Sequence, residues 1–259
     1  MKSIVVLNNK GGVGKTTSVV NIAACLASKK NKTLVVDLDP AASASQHLGF
    51  YKNETDHQTL CDYIVGGKDN LEPFIYKTAF DHLYCLPSEP SLSEFYDEML
   101  LEQGDNFFLK QESLPESYHY ILFDSPPNMG SLALNALAIA DYVLIPVQTQ
   151  YLALTGLELT LKSVDKVQRR LNSDLKILGY FATQYDRRTR VAKEVLQHLQ
   201  DRFKDDLFKT AIGINSKLIE AYDSRKPIIH KTPSASGAKE YMQLSREIIK
   251  RINNHQAGN

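Results

Sequence analysis

Cysteine is scarce in this chain. The three present, Cys25, Cys61 and Cys85, are far apart and outside any paired motif, so neither a disulfide framework nor a zinc site is expected. Reducing cytoplasm is the expected compartment. Long apolar runs are missing as well, since no stretch approaches the roughly 18 residues of a membrane span. The N-terminus lacks the basic segment and apolar run of a secretory signal. Strand character begins almost at once, which leaves no room for a helix-turn-helix domain ahead of it. Repeats and low-complexity linkers are also absent. Net charge is zero, with 30 Lys+Arg against 30 Asp+Glu, and by itself that argues against a nucleic-acid partner. The balance is uneven along the chain, however: −8 over residues 1–150 and +8 over residues 151–259. Such asymmetry suggests a basic face open to polyanions, although drift of surface charge produces it too.

What is present is concentrated near the start. Lys10-Gly11-Gly12-Val13-Gly14-Lys15-Thr16-Thr17 follows the apolar run Ile4-Val5-Val6-Leu7 and leads into a helical pattern. A strand that passes through a glycine-rich turn into a helix aims several backbone N–H groups, and the positive end of the helix dipole, at one spot. That spot suits phosphate. The glycines permit close approach, Lys15 brings a point charge, and Thr16 brings a hydroxyl for Mg2+. The common pattern G-x-x-x-x-G-K-[ST] fails at its first position, Asn9, and an additional lysine, Lys10, stands at the entrance of the turn.

Along the chain, strand and helix alternate. Strands are expected at 3–8, 33–38, 83–86, 120–124, 142–147 and 175–183, with a short one at 207–212. Helices are expected at 15–29, 59–65, 90–102, 132–139, 154–171, 191–203, 218–222 and 235–252. Residues 41–50, small and polar, read as a switch loop, and 103–118 as an irregular insert. Repeated βα units predict one α/β domain over 1–259: a mostly parallel twisted sheet flanked by helices, with ligands at the carboxyl ends of the strands. The phosphate loop, Asp39 and Asp124 each follow an expected strand and should meet at that edge.

The chain resembles the ParA/MinD family of deviant Walker A P-loop ATPases, and most closely its ParA-type, Soj-like branch. The resemblance runs through Asn8 to Thr17, Leu34 to Pro40, Phe123-Asp124-Ser125-Pro126-Pro127, Ile145-Pro146-Val147-Gln148, Tyr185 to Thr189, and Ile212 to Ile228. It implies two subunits sandwiching two ATP molecules, with Lys10 reaching the partner's nucleotide. Lys15 would bridge the β and γ phosphates, Thr16 would ligate Mg2+, and Thr17 would face the α phosphate. Asp124 would hold Mg2+ through a water, while Asp39 would orient the attacking water, with Asp37 supporting the loop or the metal shell. Gln184, Ile212 and Gly213 match the positions that contact adenine. One departure affects the switch: relatives read D-P-Q-G-N where this chain has Asp39-Pro40-Ala41-Ala42-Ser43, which puts the rate of hydrolysis in question.

The same resemblance implies non-specific DNA contacts at Arg188, Lys217 and Arg225, hydrolysis stimulated by a ParB-like or other adaptor, and work on the nucleoid. Cargo would be a chromosome, a plasmid or a protein assembly. Two other readings compete. A MinD-like membrane regulator would need an amphipathic C-terminal helix rich in Phe, Leu and Lys, where this chain ends Asn253-Asn254-His255-Gln256-Ala257-Gly258-Asn259. A nucleotide-binding module with impaired hydrolysis fits Ala41 and Ala42. An iron–sulfur protein related to nitrogenase would need paired cysteines after Asp124, and none occur there.

Overall fold

Apolar strands buried on both faces need helices on both faces, and that requirement sets the architecture. The computed structural model describes residues 1–51, 56–94 and 107–257. Its sheet has seven strands: β1 (Lys2–Val6), β2 (Thr33–Asp37), β3 (Tyr76–Lys77), β4 (Leu83–Leu86), β5 (Tyr120–Asp124), β6 (Tyr142–Gln148) and β7 (Lys176–Thr183). They lie in the order β3-β4-β2-β5-β1-β6-β7. All neighbours are parallel except β3, which pairs antiparallel to β4 at the edge. The expected single α/β domain with a mostly parallel sheet is what forms.

Helices α1 (Lys15–Ala27), α2 (Ser43–His47), α3 (Leu60–Val65), α4 (Ser131–Ile139), α5 (Leu152–Arg170), α6 (Arg190–Phe203), α7 (Ser216–Asp223), α8 (Ile228–Lys231) and α9 (Ser236–Ala257) surround it. The two-residue period of the strands divides the core. Val5, Leu7, Leu34 and Val36 point to one side and pack with residues of α3 to α6. Ile4, Val6, Val35 and Leu122 point to the other and pack with α1 and α9. There the Ser18 and Tyr241 hydroxyls, 3.0 Å apart, tie α1 to α9. Tyr241, Leu244, Ile248 and Ile252 of the closing helix are all buried, as their helical spacing predicts.

Two local expectations need correction, and two short elements were not anticipated. Residues 43–47 of the expected switch loop form α2, because Asp37 on β2 accepts the Ser45 N–H and hydroxyl and so holds the turn from outside. Residues 207–212 run beside β7 without becoming a strand: Phe208 N–H donates to Tyr180 O and Ile212 N–H to Ala182 O. Between them Glu247 of α9 captures the Lys209 N–H and the Thr210 hydroxyl and pulls the segment off the ladder. The edge strand β3 and the helix α8 were too short to carry a periodic signal. Residues 91–94 are helical as expected, and the rest of the helix expected at 90–102 lies outside the described residues.

Gly179 shows how tightly β7 is built. The register of β6 and β7 slips between Val143 and Leu144, and Gly179 there adopts φ +147°. A Cβ at that position would stand 2.1 Å from Arg251 Nη1 and 2.5 Å from Asp206 O. Arg251 is fixed in place by donating to the carbonyls of Leu178, Asp206 and Asp205. Gly179→Ala should therefore cost about 3 kcal/mol or more, combining backbone strain with overpacking. A urea unfolding midpoint measures it.

Candidate functional site

The carboxyl edge of β1, β2 and β5 carries the site. β1 delivers the chain into the glycine turn, where Gly12 (φ +74°) and Gly14 (φ +88°) occupy the left-handed region that glycine tolerates. Gly14 is the N-cap of α1 and offers no side-chain acceptor, and the first turn of α1 holds no acidic residue. Its orphan N–H groups therefore remain available to an anion. The loop is pinned from β7: the Thr183 hydroxyl donates to Val13 O at 2.8 Å and Gln184 Nε2 to Gly12 O at 2.5 Å. Asn8 braces its entry, accepting the Lys10 N–H and donating to Pro146 O.

Lys15 is buried, and its Nζ reaches Lys10 O at 3.4 Å. Burial lowers its pKa, while the charges of Asp124 and Asp39 oppose that shift. Asp37 and Asp124 face each other in parallel register on β2 and β5, and Val6 is the register partner of Asp124 on β1. Both carboxylates are fully buried. Asp37 is partnered, accepting from the Asp39 N–H and from the Ser45 N–H and hydroxyl. Burial still pushes its pKa up to about 6 against those bonds. Burial raises Asp124 well above the carboxylate range, with the charge of Asp37 adding to the rise and Thr16 and Lys15 tempering it.

Neither oxygen of Asp124 has a partner in hydrogen-bond geometry. A buried carboxylate left unpaired beside a threonine hydroxyl and a second carboxylate is the donor chemistry of a hard divalent cation and its waters. The residues present therefore fit Mg2+, with Thr16 and Asp124 as its holders. Asp39 is less buried than Asp37, and its Oδ1 accepts the Ala41 N–H at 2.9 Å. It stands at the rim, where a water could be held. Ala42 adopts φ 52°, so the turn into α2 holds a left-handed alanine at some backbone strain.

The other sequence-predicted residues divide into two places. Gln184, Ile212 and Gly213 come together, because Tyr185 N–H donates to Ile212 O and Tyr185 bridges Gly213. Ile212 is buried, and Gly213 N–H donates to Glu240. Arg188 lies in the turn after Tyr185 and Lys217 in the first turn of α7, just after Gly213, while Arg225 lies past the far end of α7. Each cation has a partner: Arg188 pairs with Asp186, Lys217 with Glu220, and Arg225 lies 3.9 Å over the Tyr51 ring. Exposed ion pairs such as the first two hold weakly, because water screens both charges.

Sequence reasoning passed over Ser45, Thr183 and Gln148. Gln148 ends β6 and accepts from Lys10 Nζ at 2.9 Å. Its place in the block Ile145-Pro146-Val147-Gln148 was its only signal.

The chain is similar to known proteins in sequence and in fold. A family described as an AAA domain matches residues 1–177. The chromosome-partitioning ATPase Soj of Treponema pallidum is 40% identical over 252 residues, covering 96% of this chain and 98% of that protein. The sporulation initiation inhibitor protein Soj of Bacillus subtilis is 38% identical over 249 residues, covering 95% and 98%. Among solved structures, cobyrinic acid a,c-diamide synthase from Mycobacterium smegmatis with bound ADP and magnesium superposes with a TM-score of 0.82 at 27% identity, covering 98% and 96%.

Helix α2 also carries a titrating side chain. His47 is buried, with Nε2 3.2 Å from Lys226 O and its ring edge-on to Tyr222. Burial lowers its pKa from 6.5 to about 4. A depressed folded pKa stabilises the fold above pH 6.5, and that contribution is lost as pH falls toward 4, up to about 3 kcal/mol. His47→Gln, which keeps a hydrogen-bonding amide but cannot titrate, should flatten the acid limb of stability between those pH values in chemical denaturation.

Proposed function

The chain belongs to the ParA/MinD family of deviant Walker A ATPases, and from that premise we propose that it is an ATP-dependent dimerising switch. In this reading it binds DNA non-specifically, hydrolyses ATP slowly under the stimulus of an adaptor, and positions a chromosome, plasmid or protein assembly in the cytoplasm, on the nucleoid. The observation that carries it is Lys10. A phosphate loop that needs only one lysine for its own phosphates holds a second one at its mouth. That mouth adjoins exposed apolar surface: Tyr151 is 51% and Leu152 77% exposed, at the start of α5. On the same helix, a Cβ at Gly156 would lie 3.5 Å from Lys10 Cβ. Cation and apolar patch together suit a second copy bringing its own triphosphate.

Phosphoryl transfer asks a protein for position and charge neutralisation. The N–H groups of Gly11 to Thr17 would receive the phosphates, with Lys15 at the β and γ oxygens and Thr17 at the α phosphate. Mg2+, held by Thr16 and through water by Asp124, would supply further charge neutralisation at the β and γ oxygens. Asp39 would orient the attacking water. Asp37, locked by Ser45 and the Asp39 N–H, would hold that turn at its distance from the loop. Gln184, Ile212 and Gly213 would border the adenine. Lys10, from the facing subunit, would offset the repulsion between the two nucleotides, making the dimer depend on ATP.

A membrane-cycling role is less well supported, because the apolar stripe of α9 is buried in the core and is not open to a bilayer. Among the described residues no helix is long and apolar enough to cross a membrane.

Lys10→Ala should abolish the ATP-driven dimer on a sizing column while ATP still binds; a dimer that persists unchanged would remove the sandwich. Lys217→Glu with Arg225→Glu should end retention on DNA at low salt, since sequence-independent binding rests on phosphate contacts. DNA retention that survives the double variant at low salt would place the polyanion surface elsewhere.

A further inference from the structure

A directed chain of polar side chains crosses the mouth of the loop. Lys10 Nζ donates to Gln148 Oε1 at 2.9 Å, Gln148 Nε2 to Gln184 Oε1 at 2.6 Å, and Gln184 Nε2 to the Gly12 carbonyl at 2.5 Å. The direction is forced. An ammonium only donates, so Gln148 must give Lys10 its oxygen and has only its NH2 left for Gln184; Gln184 must accept with its oxygen and pass its own NH2 to a carbonyl. Each link polarises the next, so the string acts as a unit. Its two glutamines are held differently. Gln148 ends a central strand and is 8% exposed, whereas Gln184 is on an exposed turn at φ +51°, a conformation that residues other than glycine seldom adopt.

We propose that Gln148 is a positioning residue that latches Lys10 onto its own protomer, and that Gln184 connects this latch to the base-binding side of the site. The inference rests on the reading above, in which Gln184 borders the adenine and Lys10 acts across the dimer. A base drawn to the Gln184 amide competes with both of its bonds. Once Gln184 turns away, the Gln148 NH2 has lost its acceptor, the Gln148 amide is free to rotate, and its oxygen no longer stays aimed at Lys10. The lysine then leaves its own protomer for the partner's phosphates. Phosphates alone fill the loop N–H groups and leave Gln184 in place. The threshold for dimerisation is therefore set by the base as well as by charge.

The full-length chain without added nucleotide can be treated with an amine-reactive ester, and the rate of Lys10 modification read by peptide mass spectrometry. Gln148→Ala should speed that modification about fivefold, the effect expected of losing one charge-assisted hydrogen bond partly screened by water. Gln148→Glu, which grips the ammonium harder, should slow it by a similar factor. Gln184→Ala, on the exposed turn where folding is not at stake, should speed it by less. In a sizing assay, Gln148→Ala should form the ATP dimer at lower protein concentration than the native chain. It should also begin to dimerise with inorganic tripolyphosphate, which leaves the native chain monomeric. Equal labelling rates in the native chain and both Gln148 variants would overturn the latch. So would shifts in the same direction for Gln148→Ala and Gln148→Glu, which is how a packing defect behaves. Labelling requires no dimer, so a native chain that never dimerises with ATP counts against the sandwich alone.

Discussion

Two carboxylates buried in register, Asp37 opposite Asp124, are the constraint around which this molecule is arranged. Charges of one sign cannot share a dry space without compensation, and the fold treats the two differently. Asp37 is compensated by the protein itself, through two backbone N–H groups and the Ser45 hydroxyl. Asp124 is left with only the Lys15 charge and the Thr16 hydroxyl to temper it. One carboxylate thus shapes the polypeptide while the other keeps its lone pairs for something outside it. α2 exists because Asp37 needs donors, and the phosphate loop approaches β5 because Asp124 faces α1.

The sheet makes this placement inevitable once the strands are in order. With β1 between β5 and β6, and β5 between β1 and β2, the carboxyl ends of β1, β2 and β5 lie side by side. Alternation along each strand sends Val6, Asp37 and Asp124 to the α1 side. Pinning of the loop from β7 then fixes its distance from the turn that follows that strand. The glycine turn and the turn carrying Gln184 are held together by the hydrogen bonds that Thr183 and Gln184 donate to Val13 O and Gly12 O.

How much of this was legible beforehand depends on whether a signal was local. The glycine turn, the strand ending in Asp124 and the helix carrying Tyr241, Leu244, Ile248 and Ile252 each announce themselves within a few residues, and all three appear where expected. α2 could not be read that way, because it is held at Ser45 by the carboxylate of Asp37, eight residues earlier. The segment 207–212 misled for the opposite reason: its apolar residues look strand-like, but Glu247 on a distant helix takes two of its polar groups. Gln148 was visible only as part of a family block. Its meaning depends on Lys10 and Gln184, which lie 138 and 36 residues away in the chain.

The joint between α2 and the segment after α7 has a mechanical consequence. His47 meets Lys226, Gln46 accepts from the Tyr222 hydroxyl at 3.0 Å, and Asn21 of α1 accepts the Ile228 N–H at 2.8 Å. The helix that follows Asp39 is thereby bolted to the block bearing Lys217 and Arg225, with α1 as a third anchor. A turn of α2 about Asp37 would drag that basic ridge along with it, as a crank moves a shaft.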